Sequence, residues 1–382
     1  MSMQTFTFEP IELPPAAEAL RDEVRAFLRH ELANAPPRSD TWSAVDPEFS
    51  RKMGRRGWIG MTWPKQYGGH ERTALERYVL LEELLAAGAP VSAHWVADRQ
   101  SGPLLLRFGS EEQRKSFLPR IAAGECYFCI GMSEPDSGSD LASIRTRGSK
   151  VDGGWSVNGT KLWTSNAHRC DYMILLCRTA EKNDNRHEGM TQFIVDLKQP
   201  GVQIRPIKNL AGQHHFNEVV FTDFFIPDNR VVGTVGNGWR QVMNELAFER
   251  SGPERLLSAF TLIVELIRAI GPNPSERAAV ALGRLVAHLF TLRRMSLSVA
   301  GMLQAGATPE LEAAVVKDLG TLFEQEVPEV ARNLIEGEPD VKTADVFLAT
   351  LAQTILAAPS FSIRGGTREI LRGIIARGLG LR

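Results

Sequence analysis

The chain has 382 residues, 43% hydrophobic and 23% charged, the balance of an ordinary globular protein with length for two or three domains. Lys and Arg number 44 against 45 Asp and Glu, so a net charge of −1 offers no field to draw nucleic acid or anionic membrane. No apolar run reaches membrane-span length, and Met1–Pro10 lacks the basic-then-apolar order of a secretory signal, so a cytoplasmic enzyme is expected.

From Ala16 to about Gly124 the pattern is helical: Leu20, Val24, Phe27 and Leu28 repeat at helical spacing, as do Val79, Leu80, Leu84 and Leu85. Breaks fall at Asn34–Pro37, Trp63–Gly69 and Gly88–Pro90. Between about Tyr127 and Gly236 short β-rich runs take over, at Gly154–Val157, Tyr172–Cys177, Gln192–Leu197, Val202–Ile207 and Val219–Ile226. Turn pairs such as Gly153-Gly154 and Asn158-Gly159 border them, which predicts a compact antiparallel domain. Helices return from Trp239. Leu256, Leu257, Phe260, Ile263, Val264, Ile267 and Ile270 form one apolar stripe, ended by Gly271–Pro274. Further helices are predicted at about Glu276–Gln304, Pro309–Leu334, Thr343–Ala357 and Arg368–Arg377, the last capped by Thr367. The expected fold class is therefore α+β, with a helical domain over 1–126, a β-domain over 127–236 and a helical bundle of four or five helices over 237–382. That order is not the alternation of a doubly wound nucleotide fold, and no dinucleotide fingerprint or P-loop stands in its required context.

Cys126, Cys129, Cys170 and Cys177 lack the second matching pair that a zinc site needs, and read as buried, reduced thiols. The densest motif is Met132-Ser133-Glu134-Pro135-Asp136-Ser137-Gly138-Ser139-Asp140. Gly, Ser and Pro at this density form a tight loop that offers backbone N–H groups and hydroxyls to a phosphate or a flavin edge, or else a plain surface turn.

This loop resembles the Thr/Ser-Glu-Pro-x-x-Gly-Ser-Asp signature of the acyl-CoA dehydrogenase family. Gly57-Trp58-Ile59-Gly60 through Tyr67-Gly68-Gly69, Gly109-Ser110-Glu111-Glu112-Gln113-Arg114 through Phe117-Leu118-Pro119, Asn158-Gly159-Thr160-Lys161-Leu162-Trp163-Thr164-Ser165-Asn166 and Gly365-Gly366-Thr367-Arg368-Glu369-Ile370 resemble further family segments, in the family's order. The resemblance implies an N-terminal helical domain, a middle β-domain, a C-terminal helical bundle, and FAD as cofactor. It places Ile130, Met132 and Ser133 along the flavin, and Gly138 and Ser139 near the flavin pyrophosphate and the acyl-CoA. Trp163, Thr164 and Ser165 fall against the isoalloxazine ring, and Gly366 and Thr367 at the cofactor from the last loop. His94, Trp95, Arg99 and Gln100 fall where the family lines its acyl pocket.

The reaction implied is α,β-dehydrogenation of an acyl-CoA thioester to the trans-2-enoyl-CoA, with hydride passing to flavin N5 and electrons onward to an electron-transfer flavoprotein. Its base must be a carboxylate in a water-poor cavity, where its pKa rises toward working pH. Most of the family carries a Glu just before the Gly-Thr of the last loop, where this chain has Gly365. A minority places it on the long helix, and Leu246-Ala247-Phe248-Glu249-Arg250 aligns with that variant, making Glu249 the expected base and Glu245 the fallback. Pro253 cannot donate to the Glu249 carbonyl, so a kink is expected there. The Gly365 N–H is implied to polarise the thioester carbonyl, and Arg250 matches an arginine near CoA, a structural ion pair being its rival reading.

Two family segments are missing. Ala269-Ile270-Gly271-Pro272-Asn273-Pro274 stands where an Arg-x-x-Phe-Gly segment grips a neighbouring subunit's flavin, and Gln353-Thr354-Ile355-Leu356-Ala357-Ala358-Pro359 replaces a Gln-x-x-Gly-Gly segment. The family's acidic residue two places before the base is Ala247. The expected assembly is a homo-oligomer, or a hetero-oligomer with a second family member that completes the site. A non-catalytic half-site subunit and a flavin oxidase or monooxygenase of the same fold are the alternative functions.

Overall fold

The computed structural model describes residues 6–38, 43–181, 184–249 and 252–381. In chain order the helices of the first third are α1 (Pro15–Glu31), α2 (Pro47–Arg55), α3 (Ala74–Ala86), α4 (Ser92–Val96), α5 (Gly102–Phe108) and α6 (Glu111–Ala122). Among the described residues seven strands follow: β1 (Phe128–Gly131), β2 (Arg147–Val151), β3 (Gly154–Ser165), β4 (Tyr172–Arg178), β5 (Met190–Asp196), β6 (Val202–Lys208) and β7 (His214–Pro227). The chain then runs through α7 (Gly238–Glu249), α8 (Phe260–Ile270), α9 (Glu276–Gln304), α10 (Glu310–Leu334), α11 (Val346–Ala357) and α12 (Arg368–Gly378).

Two compact units form. One gathers residues 1–44, 72–90 and 247–382, and the other residues 45–71 and 91–246. In the first, α1 buries Leu20, Val24, Phe27 and Leu28, each contributing about 1.5–3 kcal/mol on leaving water. That face lies on α3, whose start is fixed by a capping box between Thr73 and Glu76. The other side of α3 packs on α9 through Leu75, Tyr78, Leu297 and Ala300. A buried ion network adds direction: Arg21 pairs with Glu82 at 2.9 Å and with Glu83, and Arg293 reaches Glu82 at 2.6 Å.

The second unit is organised by the sheet, in the order β1-β4-β2-β3-β7-β6 with β5 on β4. Its apolar face includes Val157, Met173, Leu175, Phe193, Val195, Val219 and Phe221, all at most 2% exposed. The five strand runs read from the sequence are present, but the sheet is mixed rather than antiparallel. The short β1, from Phe128 to Gly131, pairs parallel with β4, and β2 touches β4 parallel at Arg147 and Arg178. Both β1 and β2 escape sequence reading for identifiable reasons. Four residues give β1 no measurable period, and β2 reads Arg-Gly-Ser-Lys-Val with only Gly148 buried, so no apolar alternation marks it.

The expected kinked helix around Glu249 is a full break. Helix α7 ends at Glu249, Pro253–Arg255 form a 3-10 turn, and α8 begins only at Phe260. Pro253 occupies the first position of that turn, where its missing N–H costs nothing. Leu256 and Leu257 are buried before α8 starts. Among the described residues, no helix is long and apolar enough to cross a membrane.

Candidate functional site

In the sheet unit, β3 carries two register shifts against β7, between Val157 and Gly159 and between Lys161 and Thr164. The second ends in Trp163, a non-glycine residue with φ of +60° whose ring is 55% exposed. Such a backbone costs an L-residue on the order of 1–3 kcal/mol, and holding a large aromatic in water adds to it. Phe216 of β7 supports the ring edge-on at 5.8 Å. Beside it Ser165 is half-buried, whereas Thr164 between them is 1% exposed, with Oγ1 lacking a hydrogen-bond partner. Trp163 and Ser165 are thus accessible, and the Thr164 side chain is turned inward.

The Ser133–Ser139 loop is tied directly to this strand. Leu162 N donates to Ser133 O at 2.9 Å. Lys161, 0% exposed, donates from Nζ to Met132 O at 2.9 Å and to Glu134 Oε1 at 2.8 Å. Glu134 also accepts from the N–H groups of Arg145 at 2.7 Å and Thr146 at 2.9 Å. Burial alone would raise its carboxyl, but the charge and hydrogen bond of Lys161, with the Thr146 and Arg145 donors, hold it below the ordinary carboxylate range. Glu134 and Ser137 exchange two backbone hydrogen bonds, at 2.8 and 3.1 Å, closing the loop and leaving Gly138 and Ser139 exposed at its tip. A Cβ on Gly138 would meet nothing within 4 Å, so the tip faces open space. Ile130, Met132 and Ser133 are half-buried on the way in. An exposed indole on a strained strand end, next to half-buried Ser133 and Ser165 hydroxyls and an exposed Gly-Ser tip, fits a ligand with a flat ring and phosphates.

Helix α4 passes through a π-helical turn at Ala97–Ser101 into α5. His94 and Trp95 are buried, and the Arg99 guanidinium lies 4.7 Å from the Trp95 ring centroid. Ser50 Oγ and His94 Nδ1 lie 2.8 Å apart, and burial pushes the His94 imidazole down to about 4, so it is neutral at physiological pH. Asp98 accepts from Gly60 N at 2.7 Å. His94, Trp95 and Arg99 are thus buried along this turn, and Gln100 is half-buried.

In the helical unit, Gly365 and Gly366 turn with φ of +65° and +100°, and Thr367 caps α12 as the sequence predicts, accepting from Ile370 N. An added Cβ on Gly365 would lie 2.9 Å from Arg255 Nη2. Lys317, 0% exposed, donates from Nζ to Gly366 O at 2.6 Å. Glu249 is the last residue of α7; its side chain and all of Arg250 lie outside the described residues, as does the side chain of Glu245. Glu134 and Lys161 lie inside the sequence motifs without a role that the motifs assign, and Arg255 and Lys317 lie outside them. A lysine among the strand residues of the β3 motif was the available signal for Lys161.

The cysteines are unpaired. Cys126, Cys129 and Cys177 are buried and Cys170 is half-buried. Among the described residues no group of three or more His, Cys, Asp or Glu is placed to hold a metal.

Residues 14–125, 129–224 and 236–380 match in turn the N-terminal, middle and C-terminal domains of acyl-CoA dehydrogenases. Acyl-CoA dehydrogenase IpdE1 of Mycobacterium tuberculosis is 34% identical over 95% of this chain and 97% of its own length. Acyl-CoA dehydrogenase FadE29 of the same organism is 32% identical over 96% of this chain and 97% of its own. Among solved structures, a steroid ACAD, Tcur3481-Tcur3483, superposes with a TM-score of 0.85 at 27% identity, covering 97% of this chain and 99% of that one. The ChsE4-ChsE5 complex from Mycobacterium tuberculosis superposes with a TM-score of 0.84 at 29% identity, covering 98% and 99%. The loop geometry on β3, the helix–sheet–helix order and the likeness along nearly the whole length agree: the chain belongs to the acyl-CoA dehydrogenase family, oxidoreductases that act on CH–CH bonds and use FAD.

Proposed function

We propose that this chain removes the α-proton of an acyl-CoA thioester with Glu249, as a cytoplasmic FAD-dependent dehydrogenase built of the three domains 1–126, 127–236 and 237–382. Bound FAD would supply two-electron oxidising power, with the β-hydrogen leaving the substrate as hydride. Trp163, Ser133 and Ser165 would face its ring, Ile130 and Met132 would flank it, Thr164 would support the strand from behind, and Gly138 and Ser139 would meet its phosphates. Gly366 and Thr367 would close on it from the last loop. Ser139, Arg250 and the Gly365 N–H would hold the thioester substrate.

The observation that carries this reading is at Gly365. Position 365 is a glycine with φ of +65°, so the loop offers no carboxylate there, and the chain carries Glu249 at the last described position of α7. A glutamate beside Phe248 and ahead of Gly252-Pro253 has the residue type that proton abstraction needs, at the sequence position of the helix-borne variant. The Gly365 N–H would polarise the thioester carbonyl and favour the enolate-like charge as the proton leaves. Glu249→Gln should slow bleaching of bound flavin by acyl-CoA by roughly 10²–10⁴-fold, the scale of a positioned base. Bleaching at the parental rate would remove Glu249 from the mechanism.

Assembly with a second, non-identical family member is the companion reading. It is supported by the missing Arg-x-x-Phe-Gly and Gln-x-x-Gly-Gly segments and by the similarity to a complex of two different chains, ChsE4-ChsE5. An electron-transfer flavoprotein would take the electrons onward. The similarity to steroid-named relatives favours a bulky ring-bearing acyl group over a plain chain.

A further inference from the structure

The Gly365–Gly366 turn lies against two buried cations that the reaction outlined above does not use. Lys317, inside α10 and 0% exposed, donates to Gly366 O at 2.6 Å. Arg255, 4% exposed, comes from the Pro253–Arg255 turn. Its backbone is seated on α10 at Gly320, where a Cβ would lie 2.1 Å from Arg255 O, so only glycine permits that approach. From there the guanidinium reaches Gly365, where an added Cβ would meet Arg255 Nη2 at 2.9 Å and Lys317 Cε at 3.4 Å. Neighbouring contacts fasten both flanks to α10: Arg368 Nε donates to Asp318 Oδ1 at 2.8 Å, and Ser258 N donates to Glu324 Oε1 at 2.7 Å. Glycines alone suffice to make a turn. Buried cations must be met by hydrogen bonds or opposite charge: Lys317 has the Gly366 carbonyl, and Arg255 Nε lies 3.9 Å from Glu254 Oε1, which leaves its Nη2 directed at Gly365.

We propose that Arg255 and Lys317 are positioning residues that set the direction of the Gly365 N–H toward the substrate thioester, Lys317 by pinning the Gly366 carbonyl and Arg255 by filling the space beside Gly365. This rests on the reading in which that N–H polarises the thioester carbonyl. The turn is thereby stiff before substrate arrives, and its donor pays no reorganisation as charge develops. A shift of about 1 Å in such a donor can cost on the order of 10²-fold in rate.

The test uses the full chain loaded with FAD, in Lys317→Met and Arg255→Lys forms. Without substrate, amide hydrogen exchange across 362–367 should quicken about tenfold or more in Lys317→Met while α10 keeps its protection. The saturating rate of flavin bleaching should fall roughly 10–10²-fold with half-saturation little changed, and Arg255→Lys should retain most of the rate. Parental exchange, or faster exchange with a parental bleaching rate, overturns the proposal. If Lys317→Met loosens α10 throughout, a cycle decides: Gly365→Ala should loosen the turn less in an Arg255→Ala background, and equal loosening in both backgrounds overturns it. Exchange is read without turnover. A failure of Glu249→Gln to slow bleaching would therefore sink the base assignment while leaving the clamp standing, and the reverse outcome would sink the clamp alone.

Discussion

Lys161→Met removes the cation that ties the Ser133–Ser139 loop to the strand bearing Trp163. The ammonium bridges Met132 O at 2.9 Å and Glu134 Oε1 at 2.8 Å, with Lys161 itself 0% exposed. Breaking a buried pair by deleting one partner costs about 3–5 kcal/mol, because the other charge stays behind. Glu134 keeps its Arg145 and Thr146 N–H donors, and burial pulls the Lys161 ammonium below its usual range against the pull of Glu134, so the expected loss is at the low end, about 3 kcal/mol. For a unit of this size a melting midpoint moves about 2–4 °C per kcal/mol, which gives a drop of about 6–12 °C by calorimetry. The pH profile supplies a sign. A carboxyl held below its ordinary range, as Glu134 is, contributes stability present above its unfolded pKa and lost as pH falls through its folded one. Parent stability should therefore fall on acidification through and below the ordinary carboxylate range, and the gap to Lys161→Met should narrow there. A Lys161→Met midpoint within about 1 °C of the parent at neutral pH would refute the account, since no buried pair worth its desolvation leaves so little trace.

Two further outcomes follow from the site and the core. If a second family member completes the flavin site, the chain purified alone should carry clearly less than one FAD per chain and should gain it on mixing with that partner; full occupancy and normal turnover of the lone chain would end the idea. A disulfide-exchange reagent at pH 8 should modify half-buried Cys170 first in the native protein. Burial pushes the Cys126 and Cys177 thiols up to about 12 and Cys129 well above its usual range, so rapid loss of more than one thiol per chain would contradict the core as described.

The local features were legible in the sequence because they depend on neighbours in the chain. Thr367 caps α12 through its own next turn, α9 spans Glu276–Gln304 as its apolar period predicts, and the glycine pair at 365–366 marks positive-φ backbone. The order of helices, strands and helices, and the motif spacing that carries the family, are likewise properties of one dimension. Other features required the third. The parallel pairing of β1 with β4 joins segments more than forty residues apart, and nothing local encodes which neighbour a four-residue strand takes. Pro253 announces a disturbance, but whether a helix kinks or stops depends on the packing that receives the freed segment, here Leu256 and Leu257 entering a core before α8 begins. The buried cations are the sharpest case. Lys161, Lys317 and Arg255 read as ordinary charges along the chain; only the fold brings a carboxylate or a carbonyl close enough to repay their desolvation, and so turns them into ties that hold the two candidate loops.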